Sequence, residues 1–353
     1  MKVVYFLPHP NRHYYDVFRR IDGIDLQYVF LSEQPHYRRS VNWSVEGMDC
    51  KGWNGWKDVI DKVRFSDIVV CAGIVYPTNY MPFIFMIARL FSKRIIVATE
   101  EVSFKRINSK ILKFLFRVVF DSSKVDCLSV GNRVSKSYKD LGISKWNFRK
   151  FGGFENRVVI ERKSSESFRL LSVGCLNDNK NHMSILKALS KINTSKKIDF
   201  HLAGEGELRE KLIEYGKNLP NNIRLIYHGY CDEDELNVLY SNTDVYIQPS
   251  IRDRWGVVVS QAIENALPVI LSSGVRSGDG YLVAHGFNGF IYSEADQLSK
   301  YLERIMIEEE YNNLSVGAGV VKSVWGIENS SERLKDFLLD RHAKFESGPL
   351  SLG

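Results

Sequence analysis

The sequence is poor in cysteine and has no long apolar run. Five cysteines (Cys50, Cys71, Cys127, Cys175 and Cys231) are spread over 353 residues, odd in number and without a CxxC pair. That spacing excludes a disulfide scaffold or a zinc ribbon and suits a reducing compartment. The strongest apolar stretch, Met81 to Phe91, is broken by Arg89. It falls short of the ~20 residues that a spanning helix needs. The opening MKVVYFLPHP lacks an apolar segment followed by a cleavage site, which argues against a signal peptide. The expected location is cytoplasmic, at most touching a membrane from its cytoplasmic face. No low-complexity tract or short tandem repeat is visible. A Walker loop and a Ser-His-Asp elbow are both missing, and no G-x-G-x-x-G follows the first strand, which disfavours an NAD-dependent enzyme.

What is present is ordinary globular composition, with 44% hydrophobic and 25% charged residues. The length suggests roughly two domains of about 150 residues. Charge divides the chain more sharply than composition does. Residues 1–150 hold 25 Lys/Arg against 14 Asp/Glu, a net of +11, and the remainder carries a net of −5. The split suggests that the first half meets something anionic. Within NSKILKFLFRVVF, Lys110, Lys113 and Arg117 fall at helical spacing among Ile111, Leu112, Leu115 and Val118. Such a basic amphipathic helix either lies on an anionic membrane surface or is a plain surface helix with a solvated face. Nucleic acid is not expected, since no binding motif accompanies the charge.

Short apolar runs alternate with amphipathic segments along most of the chain. Lys2–Leu7, Leu26–Leu31, Asp67–Ala72, Arg94–Thr99 and Cys127–Val130 read as buried parallel strands. The pattern breaks at residues 151–168, FGGFENRVVIERKSSESF, and restarts with strands at Arg169–Val173, Ile198–Ala203, Ile223–Tyr227, Val245–Gln248 and Val269–Leu271. Helices are expected from about Asn181, from Gly206, over Glu233–Ser241 and over Val257–Ala266. The fold class is α/β, two doubly wound Rossmann-like domains in series, facing across a cleft. The expected boundaries are 1–152 for the first domain, 153–168 for a linker and 169–325 for the second domain. A further helix is expected over 326–346, and 347–353 would be a disordered tail.

The most specific stretch is DVYIQPSIRDRWGVVVSQAIENALPVILSS, residues 244–273. A strand leads through Pro249 and Gly256 into a helix, whose free N–H groups and dipole favour an anion. Arg252 and Arg254 share that loop, and Asp253 and Gln261 stand eight residues apart. This chain resembles retaining glycosyltransferases of the GT-B fold, family 4, over about residues 169–292 and more weakly over the first half. Pro249, Ser250, Asp253, Trp255, Gly256 and Gln261 occupy the places of the family's Pro-Ser, first Glu, aromatic-Gly and second Glu. LLSVGCLNDNKNH (170–182), with Gly174, Leu176 and Lys180, is similar to the loop that grips the donor diphosphate. The Gly204-x-Gly206 turn, Gly229-Tyr230 near the expected base and HGFNGFIY (285–292) follow in the family's order. The sequence departs in three places: Cys175 stands for an Arg, Asp253 is one methylene shorter than Glu, and Gln261 is neutral.

The resemblance implies an acceptor-side domain over 1–152, a nucleotide-sugar-binding domain over 169–325 and a last helix, 326–346, that returns to the first domain. It implies a nucleotide-diphosphate-sugar donor, with Lys180 and the amides around Gly256 and Val257 on the diphosphate. It also implies Asp253 on the sugar hydroxyls, Gln261 on the ribose, and no metal or other cofactor. On the acceptor side, His9, Asn11, Arg12 and His13 follow the first strand and are candidates for an anionic acceptor or the leaving diphosphate; the other reading of His13 is an ordinary polar residue at a helix start. Glu100 and Glu101 end another strand, where one can take the acceptor proton or both can balance Lys105 and Arg106. Asp232-Glu233-Asp234 spells a metal-binding DxD but reads better as a helix cap. Trp43, Trp53 and Trp56 read as an acceptor flap or as core. The function expected is retaining sugar transfer to a hydroxyl acceptor, a lipid-linked or growing surface glycan. Two alternatives stay open: a catalytically degenerate binding or scaffold protein, and a nucleotide-sugar epimerase of the same architecture.

Overall fold

The computed structural model describes residues 1–8, 16–31, 50–75, 80–102, 110–154, 160–161, 163–341 and 345–352. The chain divides into two units, Met1–Gly153 with Ser330–Gly353, and Phe154–Asn329.

The first unit is built on a seven-stranded sheet of order β3-β2-β1-β4-β5-β6-β7, with every neighbouring pair parallel. Its strands are β1 Lys2–Leu7, β2 Asp25–Phe30, β3 Cys50–Gly52, β4 Ile68–Ala72, β5 Arg94–Glu100, β6 Val125–Val130 and β7 Asn147–Phe151. After its first residue β1 is buried throughout, which is why it reads as an unbroken apolar run. Helices α1 Trp56–Phe65, α2 Met81–Leu90, α3 Lys110–Phe120 and α4 Val134–Lys139 connect the later strands. Val59 and Val63 of α1, and Ile84, Phe85 and Ala88 of α2, press the core at helical spacing.

Two short edge strands escaped the sequence pattern. β3 has three residues, and β7, NFRKF, is polar at three of its five positions and lies at an edge of the sheet. That edge takes the C-terminal segment, correcting the expectation of a disordered tail. Leu350 N donates to Lys150 O at 2.6 Å and Lys150 N to Ser351 O at 2.8 Å. Leu350 is fully buried, so the apolar effect adds to the backbone pairing.

The second unit has six parallel strands in the order β10-β9-β8-β11-β12-β13. They are β8 Phe168–Val173, β9 Ile198–Ala203, β10 Ile223–Gly229, β11 Val245–Gln248, β12 Val269–Ser272 and β13 Gly289–Tyr292. Helices α5 Met183–Leu189, α6 Arg209–Gly216, α7 Glu233–Ser241, α8 Val257–Glu264, α9 Ala295–Ile305 and α10 Glu308–Trp325 complete it. Leu170, Phe200, Ile247, Ile270 and Phe290 form the centre of its core. The described end of the expected linker is tied down: Ile160 N donates to Ser241 Oγ at 3.1 Å and Lys163 N to Asn242 Oδ1 at 2.9 Å. Helix α11, Ile327–Leu338, carries the chain back into the first unit. There Arg94 donates to the carbonyls of Phe337 and Leu338 at 3.0 Å, and the Arg94 and Arg149 guanidiniums lie 4.8 and 5.0 Å from the Phe337 ring.

Candidate functional site

In the second sheet the strand order reverses between β8 and β11. Doubly wound sheets bind ligands at the carboxyl ends of strands beside such a reversal. The loop after β8 and the loop after β11 meet there and are laced together. Ile251 N donates to Asn179 O at 2.8 Å, Asn179 Nδ2 to Arg252 O at 2.9 Å, and Asn181 Nδ2 to Pro249 O at 3.4 Å. Asn177 Oδ1 accepts from Lys180 N at 3.0 Å and so shapes the turn that presents the lysine. The alternating asparagines in NDNKN were the available signal for this lacing, and the sequence reading passed over them.

Lys180 Nζ reaches Asp253 Oδ2 at 2.5 Å. The two side chains are 22% and 15% exposed, sheltered yet open to a ligand. Behind them Gln248, fully buried, donates from Nε2 to Ser250 Oγ at 2.8 Å and to Asp253 Oδ2 at 3.4 Å. Its own Oε1 accepts from the Tyr246 hydroxyl at 2.6 Å. Asp253 is clasped on its backbone too, donating to Gly274 O and accepting from Arg276 N, each at 3.0 Å. The carboxylate is therefore positioned before any ligand arrives. A cation and an acceptor-only group side by side suit a ligand with an anionic portion and neighbouring hydroxyls.

Gly256, at φ +73°, opens α8 immediately beyond, and a Cβ there would stand 3.4 Å from the Asp253 carboxyl group. The first N–H groups of α8 have no partner within the helix, and its dipole adds to the Lys180 charge. Trp255 does not face out: its ring is buried near Tyr281 and Trp325, and its Nε1 donates to Ser260 Oγ at 2.9 Å. It holds the turn from beneath. Gln261 lies one turn into α8 and is buried. Arg252, Arg254 and Cys175 are exposed.

On the other side, the ends of β8, β9 and β10 present glycine backbone. Gly174 N donates to Ala203 O at 3.0 Å and Gly204 N to Gly229 O at 2.6 Å. A Cβ on Gly204, whose φ is +135°, would stand 2.0 Å from the Gly174 carbonyl oxygen. Gly206 backs onto Leu176 in the same way, 2.5 Å from its carbonyl oxygen to a Cβ position. Tyr230 is exposed just past Gly229. His182, which precedes α5, is buried, and its two ring nitrogens have no hydrogen-bond partner among the described residues. Burial, with the Lys180 charge nearby, pushes its imidazole down to about 4.

The remaining candidates lie elsewhere. Glu100 ends β5 and Glu101 follows it, both half-buried, in the first unit. His9, Asn11, Arg12, His13, Trp43, Lys105 and Arg106 fall outside the described residues. Asp232 caps α7: its Oδ1 accepts from Glu235 N and its N–H donates to Glu235 Oε2, each at 2.9 Å. That engagement explains the DxD as helix-start chemistry. Trp53 and Trp56 pack with Tyr80, their ring centroids 4.9 and 5.9 Å from it.

Two doubly wound parallel sheets in series, the second with this loop pair at its reversal point, define the GT-B fold of glycosyltransferases. Residues 154–316 match the family model of glycosyl transferases group 1. An uncharacterized glycosyltransferase of Methanocaldococcus jannaschii is 25% identical over 195 residues, 53% of this chain and 50% of that protein. A Campylobacter jejuni enzyme is 24% identical over 264 residues, 73% of this chain and 68% of that protein. Its name is GalNAc-alpha-(1->4)-GalNAc-alpha-(1->3)-diNAcBac-PP-undecaprenol alpha-1,4-N-acetyl-D-galactosaminyltransferase. The chain spans about half the length of the first curated relatives it matches. Among solved structures, Anabaena HepE with UDP superposes with a TM-score of 0.69 at 12% identity, covering 96% of this chain and 100% of that one.

Proposed function

We propose that this chain transfers a sugar from a nucleotide-diphosphate-sugar to a hydroxyl of a lipid-linked or growing surface glycan, with retention of anomeric configuration. The observation that carries the reading is the Lys180–Asp253 pair at the start of α8. Lys180 and the helix start would draw the departing diphosphate, while Asp253, held from behind by Gln248, would accept hydrogen bonds from sugar hydroxyls. The positive charge needed at the leaving group comes from these groups, so the reading needs no metal. No protein nucleophile is invoked, and the departing phosphate oxygen would take the acceptor's proton. Glu100 and Glu101 are the acceptor-side candidates among the described residues. The nature of the acceptor is suggested by the Campylobacter relative, whose name specifies a glycan on PP-undecaprenol.

One feature favours a second reading, a binding protein without turnover. An exposed thiol, Cys175, stands where the resembling family has a phosphate-binding guanidinium. The same experiment separates the two. UDP, GDP, ADP and CMP, alone and as their common sugars, are screened by thermal shift, followed by nucleotide release and NMR of the product anomer. A nucleotide at 100 times its Kd should stabilise the second unit by about 2.7 kcal/mol. Lys180→Ala should abolish that shift and lower turnover by about 10²–10³. Binding with neither transfer nor donor hydrolysis would select the second reading, and no shift with any nucleotide would sink both.

A further inference from the structure

Large hydrophobic side chains exposed on the first unit are not scattered. Apart from Met1 and Leu352, all of those among its described residues sit on α1, α2 or α3 or on Tyr80, which precedes α2. Phe65 is 67% exposed, Leu90 80%, Ile111 72% and Phe114 65%. The three helices follow one another across one face of the sheet. Each leads to a parallel strand further along it, β3 to β4, β4 to β5 and β5 to β6, by crossovers of the same hand. They touch as neighbours: the Trp56 and Phe83 rings are 6.0 Å apart, the Phe85 and Phe120 rings 5.3 Å, and Arg89 donates to the Val119 carbonyl. Their outward side chains therefore make one apolar face rather than scattered single residues, the pattern that marks an interaction surface.

The same helices carry seven Lys and Arg residues against two acids, Asp58 and Asp61, and α3 has no acid. On α3, Lys110 and Arg117 are exposed beside Ile111, Phe114 and Val118. We propose that this face docks on the anionic surface of a lipid bilayer. Its apolar side chains enter the boundary between headgroups and acyl chains, and the cations stay with the phosphates. Charge decides between occupants. A second copy seated on the same face would bring the acid-free α3 and its cations against a like-charged patch. A lipid surface supplies the apolar layer and the counter-charge together.

The full chain is sedimented with vesicles of phosphatidylcholine alone and of phosphatidylcholine with phosphatidylglycerol. Binding is expected on the anionic vesicles, at least about tenfold weaker on the neutral ones and weakened by salt. Phe114→Ser with Val118→Ser, and separately Lys110→Glu with Arg117→Glu, should each lower binding about tenfold or more without moving Tm, because these side chains are exposed. Val316→Ser with Val320→Ser, exposed on α10 of the second unit, should leave it unchanged. A folded chain that stays in the supernatant with anionic vesicles overturns the proposal. So does binding indifferent to both α3 variants, or a dimer that the serine pair dissolves in a chain that ignores lipid. No donor is used, so failure here would leave the transferase reading standing.

Discussion

Gln261 is buried one turn into α8, at the place where the resembling family has a ribose-binding glutamate. A neutral hydrogen bond there is worth about 0.5–1.5 kcal/mol and a charged one about 1.5–3. Gln261→Glu should therefore raise nucleotide affinity by up to about tenfold in titration calorimetry. The same change should lower the Tm of the ligand-free chain, because burial disfavours the charged form of a carboxylate. An affinity that stays level or falls would remove Gln261 from the ribose. At this scale much of the candidate site was legible one residue at a time: a lysine in a glycine-led loop, an aspartate before an aromatic-Gly. Their pairing was not, because Lys180 and Asp253 are 73 positions apart and only the adjacency of β8 and β11 brings them together. Gln248 was hidden too, since a strand-end glutamine has no motif of its own.

At the scale of the element, the glycine-lined strand ends are the most demanding feature. Gly204 combines a left-handed backbone with a neighbouring carbonyl that a Cβ would strike at 2.0 Å. Gly280, at φ +74°, has nothing within 4 Å of its Cβ position. Gly280→Ala should cost about 1–2 kcal/mol, the price of the backbone conformation alone. Gly204→Ala should cost more than that in urea denaturation, and should weaken nucleotide binding by displacing the loop after β8. Equal costs for the two would show that the close approach relaxes freely. The long buried strands were legible because both their faces are apolar. β7 was not, because three of its five residues are polar and one of its two partners, the segment around Leu350, lies about 200 residues further on.

For the whole molecule, acid is the informative stress. Burial pushes His182 and His201 down to about 4 each, and His201 Nδ1 lies 2.9 Å from His228 Nε2 with the rings stacked. An unfolded histidine titrates near 6.5. Above that pH both states are neutral and these groups contribute no slope. As pH falls from 6.5 toward 4 the unfolded chain takes up protons that the fold refuses, so stability is lost. His182 alone amounts to about 3 kcal/mol over the full window. Tm followed by circular dichroism should fall between pH 6.5 and 5, above the range where most carboxylates titrate, and His182→Leu should flatten that fall. A Tm independent of pH over this interval would mean that the imidazoles are hydrated in the fold.

The sequence by itself determined the two-unit α/β architecture, the parallel strands and the loops from which a donor site could be assembled. Those depend on local patterns: apolar runs set by burial on both faces, glycines where backbone must approach backbone, and a capping box where an acidic triplet starts a helix. Tertiary structure alone decided which polar groups meet, that Trp255 supports its loop from beneath, and that the C-terminal segment completes an edge of the first sheet. It also decided that three separate helices share one exposed apolar face. The reason is physical: strand order sets which distant segments become neighbours, and no local propensity encodes that order.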